Sequence, residues 1–368
     1  MRKMRIGILY GGRSGEHEVS LMSARSVLEA IDRDKYEVAM IGITKEGRWI
    51  AGDDPLLVLE AGDEAAGTGT VAASLGTPVQ PSFWQLLKGN IASSDLDVIF
   101  SVLHGTFGED GTVQGLFELA DIAYVGSGVV GSAVGMDKGV FKAVMRGAGL
   151  PVLPAVVINR SEYELNPDVI IRSVLQELSF PLFVKPVNLG SSVGVTKATD
   201  YAALHSGLDE AARWDRRLLV EQAVDAREIE VSVLGNDVPQ ASVAGEVVPQ
   251  GEFYDYEAKY ISDDSRLLIP APITTAELEQ VQALAVAAFK AVDCAGMARV
   301  DFLLDKSSSE LWLNELNTIP GFTDISMYPK LWQASGLEYP ELIDTLIELA
   351  LERKAQRDRM QRSFEVVH

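Results

Sequence analysis

Short apolar runs alternate with segments of helical periodicity in the first part of the chain. Residues 5–10 form an apolar run, residues 11–16 are rich in glycine, and residues 18–31 carry apolar side chains at helical spacing. A strand, a glycine turn and a helix in this order are typical of the opening of a doubly wound α/β domain. Residues 36–43 and 96–103 predict two further strands.

A polar break between two apolar segments predicts a β-hairpin near the end of the chain. Residues 298–305 and 310–317 are the predicted strands, and residues 306–309 separate them. Successive side chains of a strand point to opposite faces of the sheet. If the loop has about five residues, Asp301 therefore lies opposite Glu315.

Asp301, Glu315 and Asn317 would then share one face of the predicted hairpin. Their carboxylate and amide oxygens are hard ligands that suit Mg²⁺, which proteins usually bind through one or two carboxylates and substrate phosphates. A solvated acidic face is the alternative, and it is the more common situation for a single carboxylate. The apolar surroundings favour the metal site, because a buried carboxylate pair without a cation would be costly.

Charged residues also stand at the ends of apolar strands in the middle of the chain. Residues 180–186 predict a strand that contains Lys185, and the glycine- and serine-rich residues 188–194 could close over phosphate oxygens. Glu221 and Glu228 flank a turn between two further strands and could accept hydrogen bonds from an adenine amine and a ribose. A plain surface loop and solvent-facing glutamates are the alternatives.

Two helices and two connecting segments complete the pattern. Residues 275–292 and 339–354 predict amphipathic helices, and the polar end of the chain from Ala355 is predicted to fray. Residues 52–80 are rich in glycine and alanine, which indicates a surface connection. Residues 251–265 begin with an unusually aromatic stretch and are predicted to form a mobile cover, with permanent packing on the core as the alternative.

Composition and charge narrow the class of protein. A chain of 368 residues is expected to contain two or three domains. Its formal net charge of −21 argues against nucleic acid or an anionic membrane as a partner, because binding a polyanion generally needs a basic face. Cys294 is the single cysteine and is predicted to be a buried thiol. Without a signal peptide or a transmembrane stretch in the sequence, we expect a cytoplasmic protein.

Two polar residues follow strands of the N-terminal part, where open α/β sheets bind ligands. Glu16 follows the first strand and could hold a substrate amine, or it could only favour the positive end of the next helix. His104 follows residues 96–103 and could belong to the same site. A histidine that is hydrogen-bonded within its own loop is the alternative.

Seven short motifs follow one another along the chain. They are GGRSGEHEVS at residues 11–20, HGTFGEDG at 104–111, MDK at 136–138, VKP at 184–186, GSSVG at 190–194, YDYEAKY at 254–260 and NELNTIPGFT at 314–323. Each motif is weak alone, but their order and spacing together are highly specific. In these motifs the chain resembles the D-alanine:D-alanine ligases of the ATP-grasp superfamily, from about Met4 to about Arg353.

The resemblance implies an α/β protein with the three-domain ATP-grasp architecture. The expected domains are an N-terminal doubly wound parallel-sheet domain at residues 1–127, a central domain at residues 128–221, and a C-terminal domain with the metal site at residues 222–368. ATP would bind between the central and C-terminal domains. A homodimer is expected as well.

The resemblance also implies ligands for ATP and for metal ions. They are Lys138, Lys185 and Lys259 for the phosphates, Glu221 for adenine, Glu228 for ribose, and Asp301, Glu315 and Asn317 for two Mg²⁺ ions, which Mn²⁺ could replace. Such ions neutralise the charge that develops in phosphoryl transfer. Ala223 departs from some members of the family, because it stands where an aromatic residue can lie near the adenine.

Further residues would bind and activate the two D-alanines. They are Glu16 for the ammonium group of the first, Ser191 and Tyr260 in the same hydrogen-bonded group, His104 nearby, Arg299 and the amide of Gly321 for the oxyanion, and Ser326 and Met327 for the second carboxylate. Met327 stands where leucine is common. A tyrosine at position 260 goes with an amine acceptor in this family, whereas phenylalanine goes with D-lactate.

The implied reaction forms D-alanyl-D-alanine for peptidoglycan precursor synthesis. ATP would convert one carboxylate into an acyl phosphate, which the second amine attacks while water is excluded. Another ATP-grasp ligase would keep the lysines and the metal ligands but change Glu16, Tyr260 and Ser326. A non-catalytic nucleotide-binding regulator would lose the metal ligands, and the presence of all three argues against it.

Overall fold

The computed structural model describes residues 2–51, 56, 96–248, 266–323 and 325–361. Three sheets follow one another along the chain, each with its own flanking helices. The predicted connection at residues 52–80, apart from Leu56, and the predicted cover at residues 251–265 lie outside the described residues. No helix of the described ranges is both long enough and apolar enough to cross a membrane.

The N-terminal sheet has five strands and is mostly parallel. Its elements are β1 (Met4–Gly11), α1 (His17–Ala30), β2 (Tyr36–Ile43), β3 (Trp49–Ala51), β4 (Val98–Ser101), α2 (Thr112–Leu119) and β5 (Ala123–Tyr124). The strand order is β3-β2-β1-β4-β5, and only β3 pairs antiparallel. The predicted strand, turn and helix at the N-terminus are confirmed, and β2 has the predicted bounds.

The central sheet has four antiparallel strands, and two helices precede it. The elements are α3 (Val129–Met136), α4 (Lys138–Gly147), β6 (Ala155–Asn159), α5 (Arg160–Leu165), α6 (Pro167–Glu177), β7 (Leu182–Pro186), β8 (Thr196–Ala198), α7 (Tyr201–Ala212) and β9 (Arg217–Gln222). The strand order is β6-β9-β7-β8. Because β7 and β9 are neighbours, Lys185 and Glu221 lie on adjacent strands.

The C-terminal sheet has five antiparallel strands. Its elements are β10 (Ala226–Gly235), β11 (Gln240–Val248), β12 (Arg266–Leu268), α8 (Thr275–Ala291), β13 (Gly296–Asp305), β14 (Leu311–Asn317), α9 (Met327–Ala334) and α10 (Tyr339–Asp358). The strand order is β12-β11-β10-β13-β14. The predicted helix at residues 275–292 is confirmed, and a capping box of Thr274 and Glu277 fixes its start.

Helices connect the sheets to one another. Leu342, Ile343 and Leu346 of α10 are fully buried in the apolar cluster that contains Ile6 and Ile8 of β1. The last helix of the chain therefore packs on the N-terminal sheet. The predicted domain ranges remain predictions, and this contact joins the first range to the third.

Helix α4 makes a second connection of this kind. It precedes the central sheet in sequence, but Phe141 and Met145 are buried in the cluster that contains Val300 and Phe302 of β13. One face of α4 is thus fixed on the C-terminal sheet. Of the lysines on this helix, Lys142 contacts Glu221 of the central sheet, whereas Lys138 lies near Glu315 of the C-terminal sheet.

The end of α10 differs from the prediction, because the helix continues beyond Ala355 to Asp358. Arg353 donates a hydrogen bond of 2.9 Å to Glu118, and Arg357 forms an ion pair with the same carboxylate. Lys354 lies 3.2 Å from Asp121. These long-range ion pairs hold the last turns against α2 and β5, which the local sequence could not reveal.

Candidate functional site

The C-terminal hairpin has the predicted register. Five residues, 306–310, connect β13 to β14, and Asp301 lies directly opposite Glu315. Arg299 lies opposite Asn317, two residues further along the same face. A shift in the register between Asp301 and Phe302 marks a β-bulge next to this pair, a feature that is common beside active sites.

A third carboxylate joins this row on the neighbouring strand. Glu230 of β10 lies opposite Asp301, and Arg299 contacts both groups. The Arg299 guanidinium donates two hydrogen bonds of 2.7 Å to Asp301, and its Nε lies 3.0 Å from Glu230. Burial opposes the charge of Arg299, but the two carboxylates raise its pKa above the ordinary value. The arginine is therefore a fixed cation in the row.

The donor set of the hairpin fits a hard cation. Asp301 and Glu315 supply carboxylate oxygens, and Asn317 supplies an amide oxygen. The row contains three carboxylates and one arginine, so its net charge is negative. Among the described residues, no group of three or more His, Cys, Asp or Glu side chains could hold a metal ion by itself. Such a partial set suits Mg²⁺, which takes its remaining ligands from water and substrate phosphates.

Lys138 faces the hairpin from the start of α4. Its ammonium donates a hydrogen bond of 2.8 Å to the carbonyl of Leu189 and lies 3.6 Å from Glu315. The side chain of Asp137 caps the helix by accepting from the amide of Val140 at 2.8 Å. The start of the helix thus places Lys138, a predicted phosphate ligand, between the loop of residues 188–194 and the predicted metal ligands.

Lys185 and Glu221 form a buried ion pair on the central sheet. Lys185 donates a hydrogen bond of 2.7 Å to Glu221, and Lys142 of α4 forms an ion pair with the other oxygen of this carboxylate. Burial alone would raise the pKa of Glu221, but the two lysines lower it to about 2. Burial also opposes the charge of Lys185, whereas Glu221, Glu315 and Glu228 raise its pKa.

Glu16 connects the N-terminal sheet to the central one. It occupies the N-cap position of α1, and the hydroxyl of Ser191 donates a short hydrogen bond to its carboxylate. A Cβ added at Gly105 or Gly190 would lie 2.6 or 3.1 Å from the same carboxylate. Backbone from two other loops therefore approaches Glu16 closely, as the predicted substrate pocket requires.

His104 is buried near Glu16. Its Nδ1 lies 2.9 Å from the carbonyl of Ile319, and its Nε2 lies 3.0 Å from the hydroxyl of Ser23. Burial lowers the pKa of His104, but the adjacent Glu109 carboxylate outweighs that effect and raises it. Both ring nitrogens thus contact protein atoms, which favours a role in joining two loops over direct contact with a substrate.

Gly321 and Ser326 lie together at the start of α9. A Cβ at Gly321 would lie 3.0 Å from the Ser326 hydroxyl, which accepts a hydrogen bond of 3.0 Å from the amide of Thr323. The Met327 side chain is buried in an apolar cluster with Leu331. Only the backbone of Met327 is therefore suited to an anion, and the first amides of a helix are a common carboxylate site.

The structure brings the predicted residues into two neighbouring groups. The first contains Lys138, Lys185, Glu221, Glu228, Arg299, Asp301, Glu315 and Asn317, and the second contains Glu16, His104, Ser191, Gly321, Ser326 and Met327. Lys259 and Tyr260 lie outside the described residues. Lys142 and Glu230 were not predicted. Two sequence signals were available. Lys142 follows Lys138 by four residues, about one helical turn, and Glu230 follows Glu228 by two residues, on the same face of a strand.

Comparisons with known proteins identify the family. A family model described as the D-ala D-ala ligase N-terminus matches residues 5–127, and one described as the D-ala D-ala ligase C-terminus matches residues 144–348. A D-alanine–D-alanine ligase from Natranaerobius thermophilus is 49% identical over 364 residues, with 99% of each chain covered. Another from Ruminiclostridium cellulolyticum is 51% identical over 365 residues, with 96% of each chain covered.

Solved structures agree with this result. The D-alanine–D-alanine ligase from Coxiella burnetii has a TM-score of 0.83 and 36% identity, with 98% of this chain and 97% of that chain covered. The VanG D-Ala:D-Ser ligase from Enterococcus faecalis has a TM-score of 0.83 and 34% identity, with 95% and 100% covered. The fold, the two matched models and the near-complete relatives establish that this chain belongs to the D-alanine:D-alanine ligase family.

Proposed function

We propose that the protein joins two D-alanines at the expense of ATP and releases ADP and phosphate. The observation that supports this most directly is the approach of Lys138 to Glu315, at 3.6 Å. A lysine that would bind phosphate and a carboxylate that would bind metal lie together there, and this arrangement suits phosphoryl transfer. Family membership supplies the substrate class, since the curated relatives are named D-alanine–D-alanine ligases.

The reaction has two steps. An oxygen of the first D-alanine carboxylate attacks the γ-phosphorus of ATP, so that ADP leaves and an acyl phosphate forms. The amine of the second D-alanine then attacks the acyl carbon, and the tetrahedral intermediate collapses with loss of inorganic phosphate and a proton. Lys138 and Lys185 would bind the phosphates and stabilise their charge, because positioning and electrostatics supply most of the catalysis.

Asp301, Glu315 and Asn317 would hold Mg²⁺, with Mn²⁺ as a substitute. When bound, the metal would offset the negative charge of the transferred phosphoryl group. Arg299 stands beside these ligands and is oriented by Asp301 and Glu230. Its planar guanidinium has five N–H donors, so it can also donate to the oxyanion.

The two amino-acid sites would lie at Glu16 and at the start of α9. Glu16 would bind the ammonium group of the first D-alanine, and its hydrogen bond from Ser191 supports this orientation. The amide of Gly321 would donate to the oxyanion, and Ser326 with the Met327 amide would bind the second carboxylate. Tyr260 would join Glu16 and Ser191, and Lys259 would add to the phosphate site.

The nucleotide site would use Glu228 for the ribose and Glu221 for the adenine amine. Glu221 is 1% exposed and already holds two lysines. These contacts support a role in fixing Lys185 more directly than a contact with adenine. We further propose that the protein is cytoplasmic and binds neither nucleic acid nor a membrane. We also propose that it is a homodimer, which sedimentation of the purified protein would test.

Phosphate release from ATP and Mg²⁺ across a panel of D- and L-amino acids tests the proposed function. We expect release with D-alanine and little with L-alanine. The similarity to a D-Ala:D-Ser ligase makes D-serine the acceptor to compare, offered together with D-alanine. Release that is independent of D-alanine would contradict the proposal, and nucleotide binding without any release would favour the non-catalytic regulator.

A further inference from the structure

Lys142 is a buried cation that the proposed reaction does not use. It lies on α4, four residues after Lys138, and is 2% exposed. Its neighbours on the helix, Phe141 and Met145, are fixed in the apolar cluster of the C-terminal sheet. The backbone that carries Lys142 therefore has little freedom to move away from the central sheet.

Within the part of the chain that the structure describes, Lys142 forms its ion pair with Glu221. One carboxylate oxygen of Glu221 contacts Lys142, and the other accepts a hydrogen bond of 2.7 Å from Lys185. Two ammonium groups and one carboxylate leave a net charge of about +1 in a buried cluster. Burial lowers the pKa of Lys142, and the Glu221 carboxylate opposes this effect.

We propose that Lys142 is a positioning residue that neutralises Glu221 and thereby leaves the charge of Lys185 available to the nucleotide phosphates. This inference rests on the proposed binding of ATP. Without Lys142, Glu221 would pair with Lys185 alone, and the buried pair would be neutral. An anionic phosphate would then lose most of its attraction to Lys185, because charges interact strongly where water is excluded.

A purely structural role for Lys142 makes a different prediction. If its ion pair only attaches α4 to the central sheet, its loss should disturb the whole nucleotide site. Binding of adenosine would then weaken together with binding of ADP. If Lys142 acts through the charge of Lys185, only ligands with phosphate groups should be affected.

The test compares four forms of the full-length protein by calorimetry. They are the wild type, Lys142→Met, Lys142→Arg, which keeps the positive charge, and Lys290→Met, which removes the same charge from an exposed position of α8. Each form is titrated with ADP and Mg²⁺ and with adenosine. Circular dichroism and thermal melting establish that each variant is folded.

We expect Lys142→Met to raise the dissociation constant of ADP on the order of 10-fold and that of adenosine less than about 2-fold. Lys142→Arg keeps the net charge of the cluster and should bind ADP within about 3-fold of the wild type. Lys290→Met should match the wild type.

Equal losses for ADP and adenosine in Lys142→Met, or an ADP affinity of Lys142→Arg as low as that of Lys142→Met, would overturn the inference. If Lys142→Met fails to fold, Lys142→Gln replaces it in the same comparison, because its amide can still donate a hydrogen bond to Glu221 but carries no charge. A wild type that binds neither ligand would overturn the proposed function and the inference with it. A wild type that binds both, with an unaltered Lys142→Met, would overturn the inference alone.

Discussion

Glu221 illustrates how a single buried side chain organises charge at the residue scale. A carboxylate that is 1% exposed would ordinarily be costly. Here Lys142 and Lys185 occupy its two oxygens, one from the helix and one from the adjacent strand. The three groups contact one another directly, so that a change in one of them alters the electrostatics of the others.

Replacement of Glu315 tests the predicted metal ligands. Glu315→Gln keeps the size of the side chain but removes a negative charge next to Asp301. We expect turnover to fall on the order of 100-fold or more, because charge stabilisation by a metal ion is worth several kcal/mol. The control is Glu310→Gln, at the exposed loop of the same hairpin. Phosphate release measures both, and full activity of Glu315→Gln would refute the assignment.

The low pKa of Glu221 predicts a loss of stability in acid. Its pKa is lowered from 4.5 to about 2 in the folded protein. The stabilisation is therefore complete above the unfolded value of 4.5 and is lost as the pH falls toward 2. The shift corresponds to about 3 kcal/mol.

Chemical denaturation between these pH values measures the free energy of unfolding. We expect the wild type to lose more stability on acidification than the double variant Lys142→Met with Glu221→Gln, because the variant lacks the titrating carboxylate. Equal pH dependence in the two proteins would contradict the predicted contribution.

At the scale of elements, the C-terminal hairpin and α10 hold the functional residues in place. The β-bulge beside Asp301 sets this residue opposite Glu315, because the pairs nearer the turn, such as Leu304 with Leu311, are offset by one residue. Helix α10 contributes Leu342, Ile343 and Leu346 to the core of the N-terminal sheet. The sheet that positions Glu16 therefore depends on a helix from the other end of the chain.

Truncation of Leu346 tests this dependence. Leu346→Ala removes a fully buried side chain, and we expect a loss of about 2–5 kcal/mol in the free energy of unfolding. Leu165→Ala is the matched control, because Leu165 is 77% exposed. Its effect should be below about 0.5 kcal/mol. Denaturant titration measures both, and similar losses would show that α10 does not stabilise the sheet as described.

Local periodicity was sufficient to predict the strands of the hairpin and the helices at residues 18–31 and 275–292. The predicted pairing of Asp301 with Glu315 is confirmed, but it depends on a β-bulge that the pattern of apolar and polar positions does not show. The pairing of Lys142 with Glu221 could not be predicted in the same way, since it joins residues far apart in sequence. The extension of α10 was missed for the same reason, because Arg357 meets Glu118 only in the folded chain.

At the scale of the whole molecule, the proposed active site forms where three sheets meet. Glu16 comes from the N-terminal part, Ser191 and Lys185 from the central part, and Asp301 and Glu315 from the C-terminal part. The hydrogen bond of Ser191 to Glu16 joins the first two parts directly. Substrate binding should therefore depend on contacts between parts as well as within them.

Loss of the Ser191 hydroxyl tests this connection. Ser191→Ala should lower kcat/KM for D-alanine about 10- to 100-fold, because a hydrogen bond to a charged group is worth roughly 1.5–3 kcal/mol. Ser206→Ala changes an exposed residue of α7 and serves as the control. Steady-state rates at varied D-alanine give both values. An unaltered kcat/KM in Ser191→Ala would remove this residue from the proposed substrate site.

The identity of the product is the most direct test of the proposed function. The wild-type protein is offered D-alanine and D-lactate at equal concentrations, with ATP and Mg²⁺ at neutral pH, and the products are weighed by mass spectrometry. We predict D-alanyl-D-alanine as the main product, with one ADP formed for each dipeptide. D-alanyl-D-lactate as the main product, or consumption of ATP without a dipeptide, would contradict the account.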